Sequence, residues 1–284
     1  MKALITGANG QLGRALADRF PDAEALTRQQ LDISDAAAVA AYDWSGVDTI
    51  FNAAAYTNVD GAETADGRMA AWAANAQAVA NLAGAALRHD LRLVHVSTDY
   101  VFDGRRPVHD ETEPVSPLGV YGQSKAAGEL ATLLVRRCYL VRVSWLIGNG
   151  PNFVRTMMRH IGRTAPLNVV DDQLGRLTFT AQLVDAIEHL VTTRAPYGIY
   201  HVSNDGPVTS WEGVTRAIAA AIGRTDAGIA GVSTAEYFAD KPGAAPRPLH
   251  SAFNLDKIKG TGLQLRDWRS DLRDYIAEER NKEG

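Results

Sequence analysis

A short apolar run that breaks on three closely spaced glycines limits what this chain can fold into more than any other feature. Residues 2–6 read as a buried strand. Gly7-Ala8-Asn9-Gly10-Gln11-Leu12-Gly13 reads as a loop, and Leu12, Leu16 and Phe20 follow at helical spacing. A strand that turns through glycines into a helix gathers backbone N–H groups and the positive end of the helix dipole at one point. The glycines permit the tight turn and a close approach to a pyrophosphate. With 25 glycines among 284 residues, chance alone supplies about 0.2 such spacings per chain, so the weight rests on the position directly after a strand. We therefore expect dinucleotide binding at Gly7, Asn9, Gly10, Gln11, Leu12 and Gly13.

The rest of the first half repeats the alternation. Residues 48–55, 91–98 and 138–144 read as strands, with an Ala-rich helix over 68–88 and another beginning near Tyr121. This rhythm predicts an α/β fold, a Rossmann-type doubly wound parallel sheet with right-handed crossovers. Regularity weakens after Ser144, and Gly148-Asn149-Gly150-Pro151 is a strong breaker. The expected organisation is an NAD(P)-binding domain over 1–148 and a smaller, mainly substrate-binding lobe over 149–284. Part of 165–203 should return to the sheet through an amphipathic helix at 181–193 and a strand at 198–203. The tail from Glu278 is expected to fray.

Bulk properties exclude several classes. A net charge of −4 provides no basic field, so nucleic acid is not an expected partner. Cys138 is the only cysteine, which rules out an intramolecular disulfide, suits a reducing cytosol and reads as a packed thiol. The apolar part of Met-Lys-Ala-Leu-Ile-Thr-Gly is too short for a signal peptide, and no run approaches the ~20 apolar residues of a membrane span. The seven histidines show no metal-ligand spacing, so no metal is expected. A cytoplasmic location is the expectation.

The chemistry concentrates at Tyr121-Gly-Gln-Ser-Lys125. A tyrosine and a lysine four apart at a helix start share one face. The ammonium should favour phenolate and lower the tyrosine pKa from its reference of ~10. Just upstream, Val94-His95-Val96-Ser97-Thr98 ends in a hydroxyl able to orient a carbonyl oxygen, so Thr98, Tyr121 and Lys125 form the candidate catalytic set. A second pair, Tyr237-Phe-Ala-Asp-Lys241, runs into Pro242 and has no strand-end hydroxyl before it; it reads as coincidence. At the end of the second strand stand Thr27 and Arg28, not the acid that grips an adenosine 2′-hydroxyl. That favours NADP(H), with Arg28 on the 2′-phosphate, and leaves NAD(H) open as a second cofactor. Asp32 is placed beside the adenine, and Ile33 joins the same set.

Longer strings extend the pattern: N-A-A-A-Y-T-N-V-D at 52–60, S-T-D-Y-V-F-D-G at 97–104 and P-L-G-V-Y-G-Q-S-K-A-A-G-E at 117–129. R-V-S-W at 142–145, N-F-V-R-T-M at 152–157 and R-P-L-H-S-A-F-N-L-D-K-I at 247–258 continue it. With the glycine loop, they make the chain resemble the dTDP-4-dehydrorhamnose reductase family of extended short-chain dehydrogenase/reductases.

The resemblance implies NADPH-dependent reduction of the 4-keto group of a dTDP-linked 6-deoxyhexose. Lys125 would hold the nicotinamide ribose, and Ala53, Ala54 and Ala55 would be small because the cofactor passes close. It places Tyr100 and Trp145 in the sugar pocket, and Asn152 and Arg247 toward the nucleotide diphosphate. Against those roles stand a core aromatic at Trp145 and a surface guanidinium at Arg247. Two positions depart from the family: Leu177 replaces a usual proline, which could alter packing on the cofactor side. Ala15 replaces an acid that helps bridge Mg²⁺-linked dimers in some members, so a monomer or weak homodimer is expected. Related dehydratases carry Asp-Glu after the strand-end threonine; Thr98-Asp99-Tyr100 lacks the Glu. The remaining alternatives are a ketoreductase for another nucleotide-linked deoxysugar, and a regulatory subunit like the beta subunit of methionine adenosyltransferase.

Overall fold

The computed structural model describes residues 2–161 and 166–283; position 165, where the returning stretch was expected to start, lies outside them. Strand β1 (Ala3–Thr6) is buried along its length. It ends at Gly7, whose φ of +73° suits glycine, and helix α1 (Gln11–Arg19) comes next with Leu12 and Leu16 facing the core. β2 (Glu24–Leu26), β3 (Thr49–Asn52), β4 (Arg92–Thr98), β5 (Cys138–Val143) and β6 (Gly198–Val202) complete one sheet in the order β6-β5-β4-β3-β1-β2. Every neighbouring pair is parallel. Parallel neighbours need crossovers, and the helices that make them cover both faces.

Alternation along the strands divides the core. Ala3, Ile5, Phe51, Val94 and Val141 meet Leu183 and Ile187 of the helix Thr180–Thr192 on one face. Leu4, Ile50, Leu93 and Leu140 meet Val39, Leu82 and Ala85 on the other. The sixth strand and that helix come from beyond the Gly148 breaker. The smaller lobe packs Ile147, Val154, Leu177, Val214, Ile218, Trp268 and Leu272 around its own centre.

Four local expectations are corrected. The strand expected over 48–55 stops at Asn52, whose side chain takes the Ala54 N–H and so turns Ala53–Ala55 out of the sheet. The Ala-rich helix is interrupted by a π turn, Ala73–Gln77. There the Asn75 amide clamps both backbone groups of Tyr56 and donates to the Ser124 hydroxyl, tying the loop after β3 to the next helix. Leu177 is fully buried in the lobe core and lines neither the groove over β1 and β3 nor the cleft at the end of β4. The tail does not fray at Glu278: the helix Trp268–Glu283 continues, held by Glu279, which pairs with Arg155 and Lys282.

At Gly13 the helix lies so close to the loop that an added Cβ would overlap the Gly7 carbonyl oxygen, a backbone atom with little room to move. Gly13→Ala should therefore destabilise the protein by about 1–3 kcal/mol and weaken dinucleotide binding. Thermal melts with a dinucleotide titration check this; an unchanged melting temperature and affinity would refute the close fit.

Candidate active site

Thr98 ends β4, where its hydroxyl donates to Asp99 Oδ1 at 2.9 Å and accepts the Tyr100 N–H at 3.2 Å. Helix α2 (Val120–Thr132) carries Tyr121 and Lys125, and it starts where the Glu63 carboxylate accepts the Val120 N–H at 2.8 Å. That contact supplies the anionic partner a helix N-terminus favours. At Gly122 the helix rests against the Tyr100 carbonyl, with no space for a Cβ. Tyr121 and Lys125 thus face the end of β4, and the Lys125 ammonium donates to the Val96 carbonyl at 2.7 Å.

Two clefts meet here. The first lies over the ends of β1 and β3, where the strand order reverses. Gly7, Asn9, Gly10, Thr27, Arg28, Asp32, Ile33 and Ala53–Ala55 line it. The second brings together Gln11, Leu12, Thr98, Tyr100, Tyr121, Lys125 and Trp145. Gly10, Ala53 and Ala55 belong to both walls, so the clefts are continuous. Gly13 supports the loop from beneath.

The first cleft suits a dinucleotide. Its floor is glycine and alanine, and a Cβ on Gly7 would sit 2.6 Å from the Ala54 nitrogen. Arg28 stands exposed at its rim, 3.1 Å from Asp32. Asp32 is held below the usual carboxylate range, chiefly by the Ser34 hydroxyl.

In the second cleft Trp145 adopts φ +46°, a conformation unfavourable for a bulky residue. Its ring stacks on Trp211 with centroids 3.8 Å apart. Tyr100 meets Tyr121 edge to face at 5.5 Å. Arg247 does not line the cleft; it lies over the Phe238 ring and donates to Asp60 at 2.8 Å. Asn152 does not line the cleft. Its oxygen caps the helix Phe153–His160, while its nitrogen donates to Gly148, Gly150 and Tyr275; its hydrogen bonds thus all serve the fold. The rival pair is separate from both clefts: Lys241 Nζ lies 3.4 Å over the Tyr237 ring, a cation–π contact to the ring face.

Sequence reasoning missed Trp211, Gln173, Ser251 and Asp99 as cleft residues. Trp211, Gln173 and Ser251 come from separate loops and a helix of the second half, with no local pattern linking them to Thr98. Asp99 had a signal in its place beside the strand-end threonine.

Burial sets the electrostatics. It pushes the Lys125 amine down to about 8, against a smaller upward pull from Glu129. It pushes the Tyr121 phenol up to about 12, with Thr98 pulling the other way. The expected lowering of Tyr121 is therefore overturned: desolvation of the phenolate dominates, and the Lys125 ammonium is turned onto the Val96 carbonyl. Asp99 is raised to about 6, again chiefly by burial.

A doubly wound sheet with a glycine-loop groove running into a Thr/Tyr/Lys cleft defines a nucleotide-dependent oxidoreductase of the extended short-chain type. The family model described as RmlD substrate binding domain matches residues 1–281, and the chain belongs to that family. It is 38% identical over 289 residues to a dTDP-4-dehydrorhamnose reductase of Mycolicibacterium smegmatis, covering 97% of this chain and 85% of the relative. A dTDP-4-dehydrorhamnose reductase of Clostridium acetobutylicum superposes with TM-score 0.90 at 33% identity, over 99% and 100% of the two chains. The same enzyme from Bacillus anthracis, solved with NADP, gives 0.88 at 36% identity over 98% and 100%. No helix among the described residues is long and apolar enough to cross a membrane.

If Lys125 holds the nicotinamide ribose, as the resemblance implies, dinucleotide affinity should weaken as pH rises through about 8, to which burial lowers its amine. Fluorescence titration between pH 6.5 and 9.5 checks this. Lys125→Met should bind weakly at every pH, and a wild-type affinity flat across the range would contradict the assignment.

Proposed function

We propose that this chain reduces the 4-keto group of a dTDP-linked 6-deoxyhexose with NADPH, converting dTDP-4-dehydro-L-rhamnose to dTDP-L-rhamnose. The continuity of the glycine-loop groove with the cleft holding Thr98, Tyr121 and Lys125 carries this reading. The names of the relatives and the NADP bound to one of them support it. Gly7 to Leu12 would cradle the pyrophosphate at the N-terminus of α1. Arg28 would meet the 2′-phosphate, and Asp32 and Ile33 the adenosine. NADH would be the poorer cofactor.

The reduced nicotinamide, when bound, supplies the hydride for C4 of the sugar. Thr98 offers its hydroxyl to the carbonyl oxygen, and Tyr121 gives that oxygen its phenolic proton. A phenol pushed up to about 12 stays protonated at neutral pH, as an acid must. Lys125 holds the nicotinamide ribose, and its positive charge favours the phenolate once the proton has left. Tyr100 and Trp145, backed by Trp211, wall the hexose. Arg247 exchanges Asp60 for the diphosphate at the mouth. We read the protein as a cytoplasmic monomer or weak homodimer, with Ala15 in place of a metal-bridging acid.

The test follows NADPH absorbance with the dTDP-ketosugar generated in place by its upstream enzymes. Consumption is expected with the nucleotide sugar and little with the free ketosugar, because buried polar groups meant for the diphosphate would stay unpaired. Tyr121→Phe should lower kcat by about 10²–10⁴-fold, while Tyr237→Phe should be nearly silent. No consumption by the wild-type chain would favour a regulatory subunit. Arg28→Ala should erode the preference for NADPH over NADH; equal kcat/KM for both cofactors in wild type and variant would remove that role from Arg28.

A further inference from the structure

The role of Asp99 remains. Among the described residues lining the reaction cleft it is the only acid, and it is 3% exposed. Its Oδ1 accepts the Thr98 hydroxyl at 2.9 Å, and its buried Oδ2 makes no hydrogen bond of good geometry among the described residues, although the Ser251 hydroxyl also favours its charge. A buried carboxylate with one poorly paired oxygen is costly, so the setting favours the neutral acid.

Thr98 is also close enough to the Tyr121 phenol to act on its ionisation. Thr98 is thus bonded to Asp99 and acts on Tyr121, and all three line the reaction cleft. Of the other groups facing the carboxyl, Ser251 and the His109 imidazole favour its ionised form; Tyr100, on the same turn, and Tyr121, from α2, are themselves raised by its charge. His109 is in turn paired with the buried Glu113.

Resting on the assignment of Tyr121 as the proton donor, we propose that Asp99 is a relay residue whose protonated carboxyl resupplies Tyr121 through the Thr98 hydroxyl. The carbonyl carbon gains the hydride furnished in the proposed reduction. As the new O–H bond forms at the sugar oxygen, the Tyr121 O–H bond breaks. As that proton is transferred, the Thr98 hydroxyl turns from the sugar oxygen to the phenolate oxygen and gives up its own proton there, and the Thr98 oxygen takes the Asp99 proton in the same movement. Asp99 is left as carboxylate and regains a proton once the product leaves and water enters the cleft that it lines. The sum is one hydride and one proton added to the ketone, with every side chain restored. The raised ionisation range of Asp99, about 6, leaves a usable protonated fraction near neutrality.

The experiment measures the single-turnover rate of NADPH oxidation by the full chain with the dTDP-ketosugar, from pH 5 to 9. In the wild type the rate should fall as pH rises past the Asp99 range. Asp99→Asn should lower the rate about 10-fold to 100-fold and abolish that limb, while Asp99→Glu should restore part of both. Should Asp99→Asn fail to fold, a proton inventory on the wild-type enzyme in mixed H₂O/D₂O still decides: a curved plot is expected, and a linear one overturns the relay. Full rate and an unchanged profile in Asp99→Asn also overturn it. So does a raised KM for the nucleotide sugar at constant rate, which would make Asp99 an acceptor for a sugar hydroxyl. Tyr121→Phe separates the two levels: crippled Tyr121→Phe with normal Asp99→Asn removes only the relay, and normal rates in both remove the assignment of Tyr121 as well.

Discussion

The close approach of the Gly7 turn to the end of β3 determines where everything else in the molecule can stand. Gly7 lies against the Ala53–Ala54 backbone, and Gly13 lies against Gly7. A side chain at either glycine would push α1 or the alanine turn away and open the groove floor. Asn52 completes the arrangement: its Oδ1 accepts from the Thr6 hydroxyl and from the Ala54 N–H, joining β1, β3 and the turn through one amide. Backbone packed this tightly leaves a shallow, uncharged floor at the switch point of the sheet, where the α1 N-terminus faces any anion laid on it.

The reaction cleft depends on a different constraint, the removal of water from α2. Lys125 and Glu129 are both buried one turn apart, and Arg142 of β5 clamps Glu129 through two nitrogens, with one contact at 2.7 Å. Breaking such a buried pair by removing one partner is strongly destabilising, because it strands the other charge. The pair thus anchors the far end of the helix while Tyr121 and Lys125 occupy the near end. The same dryness governs ionisation in the cleft: Lys125 moves down, Tyr121 and Asp99 up, each toward its neutral form. Opposing neighbours moderate these shifts without reversing them.

Much of this is legible in the order of residues alone. The strand–glycine–helix start, the alternation that builds the sheet and the Tyr121/Lys125 spacing are local patterns, and local patterns report backbone geometry directly. The doubly wound parallel sheet is implied by them, as is the helix presenting Tyr121 and Lys125 on one face. Less legible are features that depend on how a side chain is used. Asn152 stands in a motif that suggests a ligand, yet its amide is saturated by helix and loop groups. The direction of the Tyr121 shift is misjudged from sequence because spacing reveals a neighbouring ammonium and says nothing of how dry the site is.

What the sequence by itself determined is therefore the chemistry on offer and the elements that bear it: glycines where backbone must meet backbone, a hydroxyl at a strand end, a phenol and an amine one helical turn apart. Tertiary structure decided which of these meet and in what medium. Trp145 became a cleft wall by stacking on Trp211, 66 positions along the numbering. Asp99 became a buried acid only when Thr98, Tyr121 and Ser251 closed around it. Covalent order controls spacing over a turn or a strand, whereas solvent exclusion is a property of the assembled layers. Desolvation energies, which separate an ordinary carboxylate from a proton carrier, arise only there.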